Sequence, residues 1–418
     1  MRFQSIWAAT APEVPEFPSL SDSLQTDVLV IGGGFQGLST ALHLAEAGVD
    51  VALLEAQEPG FGASGRNGGQ VIPGLKDDPD AMDRLWGEAA TDFAGSTADV
   101  LFDLVERLGL DCEASRSGWI QAGAKQVHLA GLQSRMRQWE ARGAPVAWLD
   151  PAAMLRETGS DIFAGGWIDR RAGKVHPLKY ARALARAAEA AGAKIFAQTP
   201  VVGLKRADGK WRATLPSGAV VSAERVVLAT NVYTPRGLSR DVKRATVPAN
   251  SFQIATKPLS RAQLDRILPN GVVVSEARRV GTYFRIGPGN RLMLGGRGQF
   301  SDPTHAEDFR RIVAELNAIF GTGFDIEYRW FGRVGMTADH RIRVCEPAPR
   351  LMLATGFNGR GVALATALGK AFAAHLALGT DMPVPVSRSV KAMPFHALHP
   401  LYGTLAIHYY RMRDHLDR

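Results

Sequence analysis

At 418 residues the chain is too long for a single hydrophobic core, and two closely packed lobes are expected. Its 46% hydrophobic and 22% charged residues exclude a disordered chain, and no segment reaches the roughly 20 continuous apolar residues of a membrane-spanning helix. The formal charge of +8 is scattered, without aromatic interleaving, which points to a general attraction for anions and away from nucleic acid. Residues 1–26 lack the basic start, apolar run and small-residue cleavage site of a signal peptide, so a cytoplasmic location is expected. Cys112 and Cys345 stand in no metal-ligand spacing; we read them as buried thiols, with neither a disulfide nor a metal site.

Residues 27–31 form a short apolar strand, the glycines at 32–34 break it, and residues 35–47 continue at helical spacing until Gly48. Residues 49–54 return as a second apolar strand closing on Glu55, which completes one βαβ unit. Residues 178–191 carry Leu178, Ala181, Leu184 and Ala188 on one helical face and stop at Gly192. A strand at 194–198 and a meander at 201–205, 211–215 and 219–222 follow, and 226–229 reads as a buried strand. Between 247 and 302 the longer strands 251–256, 281–286 and 291–294 indicate a separate antiparallel sheet. Residues 351–354 run into a glycine turn and a small-residue helix at 362–376. The tail at 402–416 is helix-compatible, packed on the body or in peripheral contact with a membrane.

Gly32, Gly34 and Gly37 form G-x-G-x-x-G: the first permits a tight turn, the second lets a pyrophosphate approach the backbone, and the third lets helix and strand pack closely. The pattern follows a strand, opens a helix at Phe35 and Gln36, and is succeeded by Glu55 and Ala56, where a carboxylate can bond ribose hydroxyls. This context reads as dinucleotide binding, and it does not choose between NAD and FAD. The run Gly62, Ala63, Ser64, Gly65, Arg66, Asn67, Gly68, Gly69 and Gln70 offers small residues and free backbone donors suited to a second pass along an extended cofactor.

The block 27–70, the strand end Ala229, Thr230 and Asn231, and the turn Gly356, Phe357, Asn358, Gly359, Arg360 and Gly361 together resemble the D-amino-acid-oxidase type of flavoprotein. The resemblance spans nearly the whole chain and is strongest to the gamma-glutamylputrescine oxidoreductase branch. It implies an α/β fold: a Rossmann-like FAD-binding domain of discontinuous segments (1–90, 150–245 and 328–418) and an α+β substrate domain with a large antiparallel sheet (91–149 and 246–327). It further implies noncovalent FAD, with Glu55 on the ribose, Val201 on adenine through its backbone, Ser64 to Gly69 along the pyrophosphate and flavin, and Gly356 to Gly361 aiming a helix end at the flavin's pyrimidine edge. The implied chemistry is hydride transfer from a carbon bearing nitrogen to flavin N5, giving an imine and, with oxygen, hydrogen peroxide. An amine or amino acid, secondary or glutamylated amines included, is the implied substrate.

Substrate contacts are expected from the second sheet. Tyr283 and Arg285, two apart on one strand, share a face, and Arg297 follows a Gly295-Gly296 break; an Arg with a Tyr can bind a carboxylate. Sarcosine oxidases, which this chain also resembles, attach FAD through a cysteine near the position of Gly335 here, carry an oxygen-promoting lysine near Met293, and bind the substrate carboxylate with a lysine near Ala363. Those departures leave the acceptor open between oxygen and a quinone or carrier. They also leave open a cofactor-holding subunit whose partner does the chemistry. The sequence does not set the oligomeric state.

Overall fold

The computed structural model describes residues 3–11 and 14–416. Its first sheet has eight strands, and its central path runs Arg343–Ala348, Leu351–Thr355, Val220–Leu228, Leu24–Ile31, Val51–Leu54, Lys194–Phe196. Every neighbouring pair on that path is parallel except the Arg343–Ala348 edge. Strands buried on both faces need helices as covers. Phe35–Glu46, Pro177–Ala190, Glu88–Leu108 and Gly361–Leu378 supply apolar faces to one continuous core that includes Leu38, Leu42, Leu184, Leu101 and Leu368. The Gly361–Leu378 helix has the length and apolar composition of a membrane span, but here Leu364, Leu368 and Phe372 are fully buried inside that core.

The second sheet also has eight strands, in the order Ile326–Met336, Val247–Pro258, Arg291–Arg297, Thr282–Gly287, Val273–Glu276, Trp119–Gly123, Gly165–Asp169, Val146–Leu149. Its pairs are antiparallel except Val273–Glu276 with Trp119–Gly123. One face packs on Arg310–Phe320 through Ile312, Leu316 and Phe320. The sheet draws Gly165–Asp169 and most of Ile326–Met336 from segments expected in the nucleotide lobe, while Glu88–Leu108 packs its Ala90, Ala94 and Ala98 face into the first core. The α/β class agrees with expectation.

Two strands differ locally from the sequence reading. The strand expected at 201–205 is Gly203–Ala207, entered where Val202 N donates to Thr214 O at 2.9 Å. The separate strands at 219–222 and 226–229 are one strand, Val220–Leu228; Glu224 and Arg225 sit half-buried in its middle, and Glu224 is ion-paired to Lys210 and Arg350. The tail is the helix His399–Leu416, tied to the body where Asp414 accepts from Val280 N and the Arg279 guanidinium.

Candidate functional site

The carboxyl ends of the parallel strands are where open α/β sheets leave a crevice. Ile31, Leu54 and Leu228 end in register there, and a cavity of about 1150 Å³ opens between this edge and the second sheet. It exceeds the roughly 300–1,000 Å³ of a pocket for one small ligand. That leaves room for an extended molecule and a second, smaller one.

At one end is the glycine turn. Gly32 has φ of +110°, accessible only to glycine without strain, and a Cβ on Gly37 would lie 2.0 Å from the Gly32 carbonyl oxygen. The fingerprint therefore works as read: one glycine for the turn, one for helix–strand contact. Phe35 N donates to Ser64 Oγ at 3.0 Å, which links the helix start to the second glycine run. The Gln36 amide is buried at the cavity wall with neither its nitrogen nor its oxygen bonded among the described residues. An orphaned amide beside a helix N-terminus fits a polar, anionic ligand. Glu55 accepts from Gly33 N at 2.6 Å and Gln57 N at 2.9 Å. Burial nevertheless raises its carboxyl above the usual range.

The run 63–70 forms the floor between the lobes. Asn67 Nδ2 donates to Ala63 O and Ser64 O, its Oδ1 accepts from Gly69 N, and Gln253 and Trp330 of the second sheet both donate to Arg66 O. Gly32, Gly34, Phe35, Gln36, Glu55 and Ala56 line the cavity, as do Ala63, Ser64, Arg66, Asn67, Gly68 and Gln70. So do Val201, Ala229, Thr230 and Asn231, and, from the late turn, Asn358, Gly359, Arg360 and Gly361. Gly37, Gly65, Gly69 and Gly356 stand behind the wall; at Gly65 a Cβ would meet Gly60 O at 2.3 Å, so these glycines serve packing. Asn231 joins two strand ends, its Oδ1 accepting from Thr355 Oγ1 at 2.8 Å and Gly356 N at 3.2 Å.

Of the three residues expected to meet substrate, two face the cavity. Tyr283 lies across Gly68 and Gly295, either of which would collide with its ring if it carried a Cβ, and its hydroxyl pairs with Ser251 Oγ at 2.8 Å. Burial pushes its phenol up to about 12. Arg297 lines the cavity with no hydrogen bond or ion pair among the described residues. Arg285 does not line it: its guanidinium donates to Gly69 O at 2.9 Å and Val175 O at 2.8 Å and lies over the Trp7 ring. This correction to the expected Tyr283–Arg285 pair follows from the floor, where Val175 O and Gly69 O, the latter also accepting from Val175 N, both take the guanidinium as donor.

Charge is distributed unevenly along the wall, with eight Lys and Arg side chains against four Asp and Glu. All four acids are engaged: Glu55 by backbone, Asp77 by Arg341, Glu276 by Arg278 and Thr282, and Asp339 by Arg343. Among the described residues, Lys76, Arg297 and Arg360 have no such partner; Arg360 lies over Trp119, and its Nη1 is buried without an acceptor. Burial first, and then the charges of Arg360, Arg135 and Arg297, bring the Lys76 ammonium down to about 7. Burial and the Arg135 charge bring Arg360 down to about 9. The sequence reading missed Lys76; the only local signal is a lone base ahead of Asp77-Asp78, soon after the glycine run. It included Arg360, as a cofactor contact. Met293 and Ala363 are buried away from the cavity, and neither free cysteine lines it.

Known proteins bear on this cavity. Residues 27–375 match the family described as FAD dependent oxidoreductase, DAO. The chain is 31% identical to the probable oxidoreductase OrdL of Haemophilus influenzae, over 96% of this chain and 94% of that one. It is 30% identical to gamma-glutamylputrescine oxidoreductase of Escherichia coli, over 99% and 98%. Its fold is shared with glycine oxidase from Geobacillus kaustophilus, at a TM-score of 0.74 and 21% identity over 87% of this chain and 97% of that chain. The glycine cradle and the matched span lead to one conclusion: this chain belongs to the DAO family of FAD dependent oxidoreductases, and FAD is its cofactor.

Proposed function

We propose that the protein oxidises the C–N bond of an amine or amino acid that carries an acid group, with FAD held noncovalently. The carrying observation is the set of unpartnered cations Lys76, Arg297 and Arg360 on a wall whose acids are all engaged. Two guanidiniums without a counter-charge on the wall of a cleft are costly unless an anion meets them, and Lys76 beside them carries only part of a charge at neutral pH. A relative named gamma-glutamylputrescine oxidoreductase and neighbours named glycine oxidase and iminodiacetate oxidase support a C–N donor.

In this reading the helix start at Phe35 and Gln36, with Ser64, receives the pyrophosphate, Glu55 the ribose hydroxyls, Val201 the adenine, and the late turn Asn358 to Gly361 the flavin's pyrimidine edge. FAD, when bound, supplies the two-electron acceptor, and its chemistry is hydride transfer to N5. The chain's part is to hold the acid group on Arg297 and Arg360, to place the nitrogen-bearing carbon under the Tyr283 wall, and to keep the site dry. Positive charge around the nitrogen favours its free base, the form able to become an imine. Hydrogen peroxide is the expected second product with oxygen as acceptor.

Matched substrate pairs test the acid-group reading. An acid-bearing amine should reduce the flavin with at least 10-fold lower half-saturation than its amide, a difference that Arg297→Met removes. Equal half-saturation for acid and amide in the wild type would overturn it.

A further inference from the structure

Lys76 stands on the loop before the Pro79–Trp86 helix, and its side chain is exposed at the cavity wall. Titratable groups face it from four elements: Arg360 at the start of the Gly361–Leu378 helix, Arg135 from the Gln126–Glu140 helix, Arg297 from the second sheet, and His340 from the turn after Ile326–Met336, with apolar Trp86 and Phe357 beside them. The neighbouring acids are spent, Asp77 on Arg341, Asp78 on Arg135 and Asp339 on Arg343. As a cation Lys76 has no counter-ion among the described residues, and as an amine it offers a lone pair at the cavity wall.

We propose that Lys76 removes the proton from the substrate's ammonium group, and that the substrate's own acid group, bound by Arg297 and Arg360, primes it to do so. The inference rests on the C–N oxidation reading above. A substrate amine with an ordinary pKa, near the roughly 10 of a free lysine, enters as an ammonium at neutral pH, and no imine can form until the nitrogen has a lone pair. With Lys76 drawn down to about 7, much of it is neutral at that pH. The acid group neutralises the guanidiniums that depress Lys76, so its proton affinity rises as the ammonium arrives. The N–H proton moves to Lys76 Nζ, giving a neutral substrate amine and a lysine ammonium. The C–H hydrogen then leaves with its electron pair to the oxidant FAD as the nitrogen lone pair closes the C=N bond. The substrate loses two electrons, FAD gains them, and Lys76 returns its proton to water when product leaves.

Two measurements on the holoenzyme test this. In the first, glutarate, which cannot be oxidised, is titrated calorimetrically at pH 7.5 in two buffers of different ionisation enthalpy. Having no ammonium, it should draw roughly 0.7 proton from solvent onto Lys76 in the wild type and close to none in Lys76→Met or Lys76→Gln. Uptake that is unchanged in both variants would assign the proton to another group, His340 first, and overturn the proposal. In the second, anaerobic flavin bleaching by an acid-bearing amine is followed against pH. The wild-type rate should rise through about pH 7. Lys76→Met should be slower at pH 7 by on the order of 10²–10³ and recover as pH approaches the amine's own pKa. A slow rate without recovery at high pH, or normal bleaching with slowed return of colour in air, would overturn the assignment. If no amine bleaches the wild type, the C–N reading itself fails and the proposal falls with it, even where glutarate uptake depends on Lys76.

Discussion

Arg285 and Arg297 are both desolvated arginines on adjacent strands, yet their positions demand opposite behaviour. Arg285 is fully enclosed, drawn down to about 10 by burial, and spent on the carbonyls of Gly69 and Val175. Arg285→Met should therefore lower unfolding stability by on the order of 3 kcal/mol in a denaturant titration, because it strips donors from buried carbonyls. Arg297→Met should leave that titration unchanged and raise KM for an acid-bearing amine by about 10- to 100-fold. His176 is the other informative residue. Its Nδ1 accepts from Lys179 N at 3.2 Å, which places the ring proton on Nε2, facing Thr10 Oγ1 at 3.0 Å. Burial, reinforced by the nearby cations Lys179 and Arg285, brings its pKa to about 3. The folded state thus holds the neutral ring, so stability is full above the unfolded pKa near 6.5 and is lost as pH falls toward 3. Between pH 7 and 5 the His176 share of that loss should be about 2 kcal/mol, seen as a falling denaturant midpoint that His176→Gln flattens.

At the scale of elements, the Phe35–Glu46 helix holds its place through glycine contacts. Gly37→Ala would put a methyl 2.0 Å from the Gly32 carbonyl oxygen. We expect this variant to purify largely without flavin, measured as the ratio of 450 to 280 nm absorbance. Wild-type flavin content would contradict that geometry. The His399–Leu416 helix is attached differently. It buries no residue fully and exposes Leu401, Leu405, Tyr409, Met412 and Leu416, while Gly403 meets the Phe300 ring and the Asp414 carboxylate holds the 278–281 loop. That loop lines the cavity. Asp414→Ala should therefore raise KM several-fold with flavin content and melting temperature unchanged; a change confined to melting temperature would make the helix a brace only.

Across the whole molecule, what could be read from the sequence was what is local. Residues 27–55 carry strand, turn, helix and acid within one stretch, so both fold and cofactor cradle were visible there. The Glu88–Leu108 helix went unread because six of its nine buried residues, Ala90, Thr91, Ala94, Gly95, Thr97 and Ala98, are small and gain their partner only when the Gly361–Leu378 helix packs against them. The role of Lys76 was illegible for a related reason: its surroundings come from positions 135, 297, 340 and 360, and no sequence spacing reports that these meet. Arg285 was misplaced because alternation gives a side chain's face but not the carbonyls waiting beneath it. The central claim is that this FAD protein takes electrons from the C–N bond of an acid-bearing amine. Its most direct test is the anaerobic spectrum of the holoenzyme titrated with amino acids, N-methyl amino acids, polyamines and gamma-glutamylated amines, followed by admission of air. The oxidised flavin bands should bleach with an acid-bearing amine and not with a simple polyamine. Bound flavin left unbleached by every amine would contradict it.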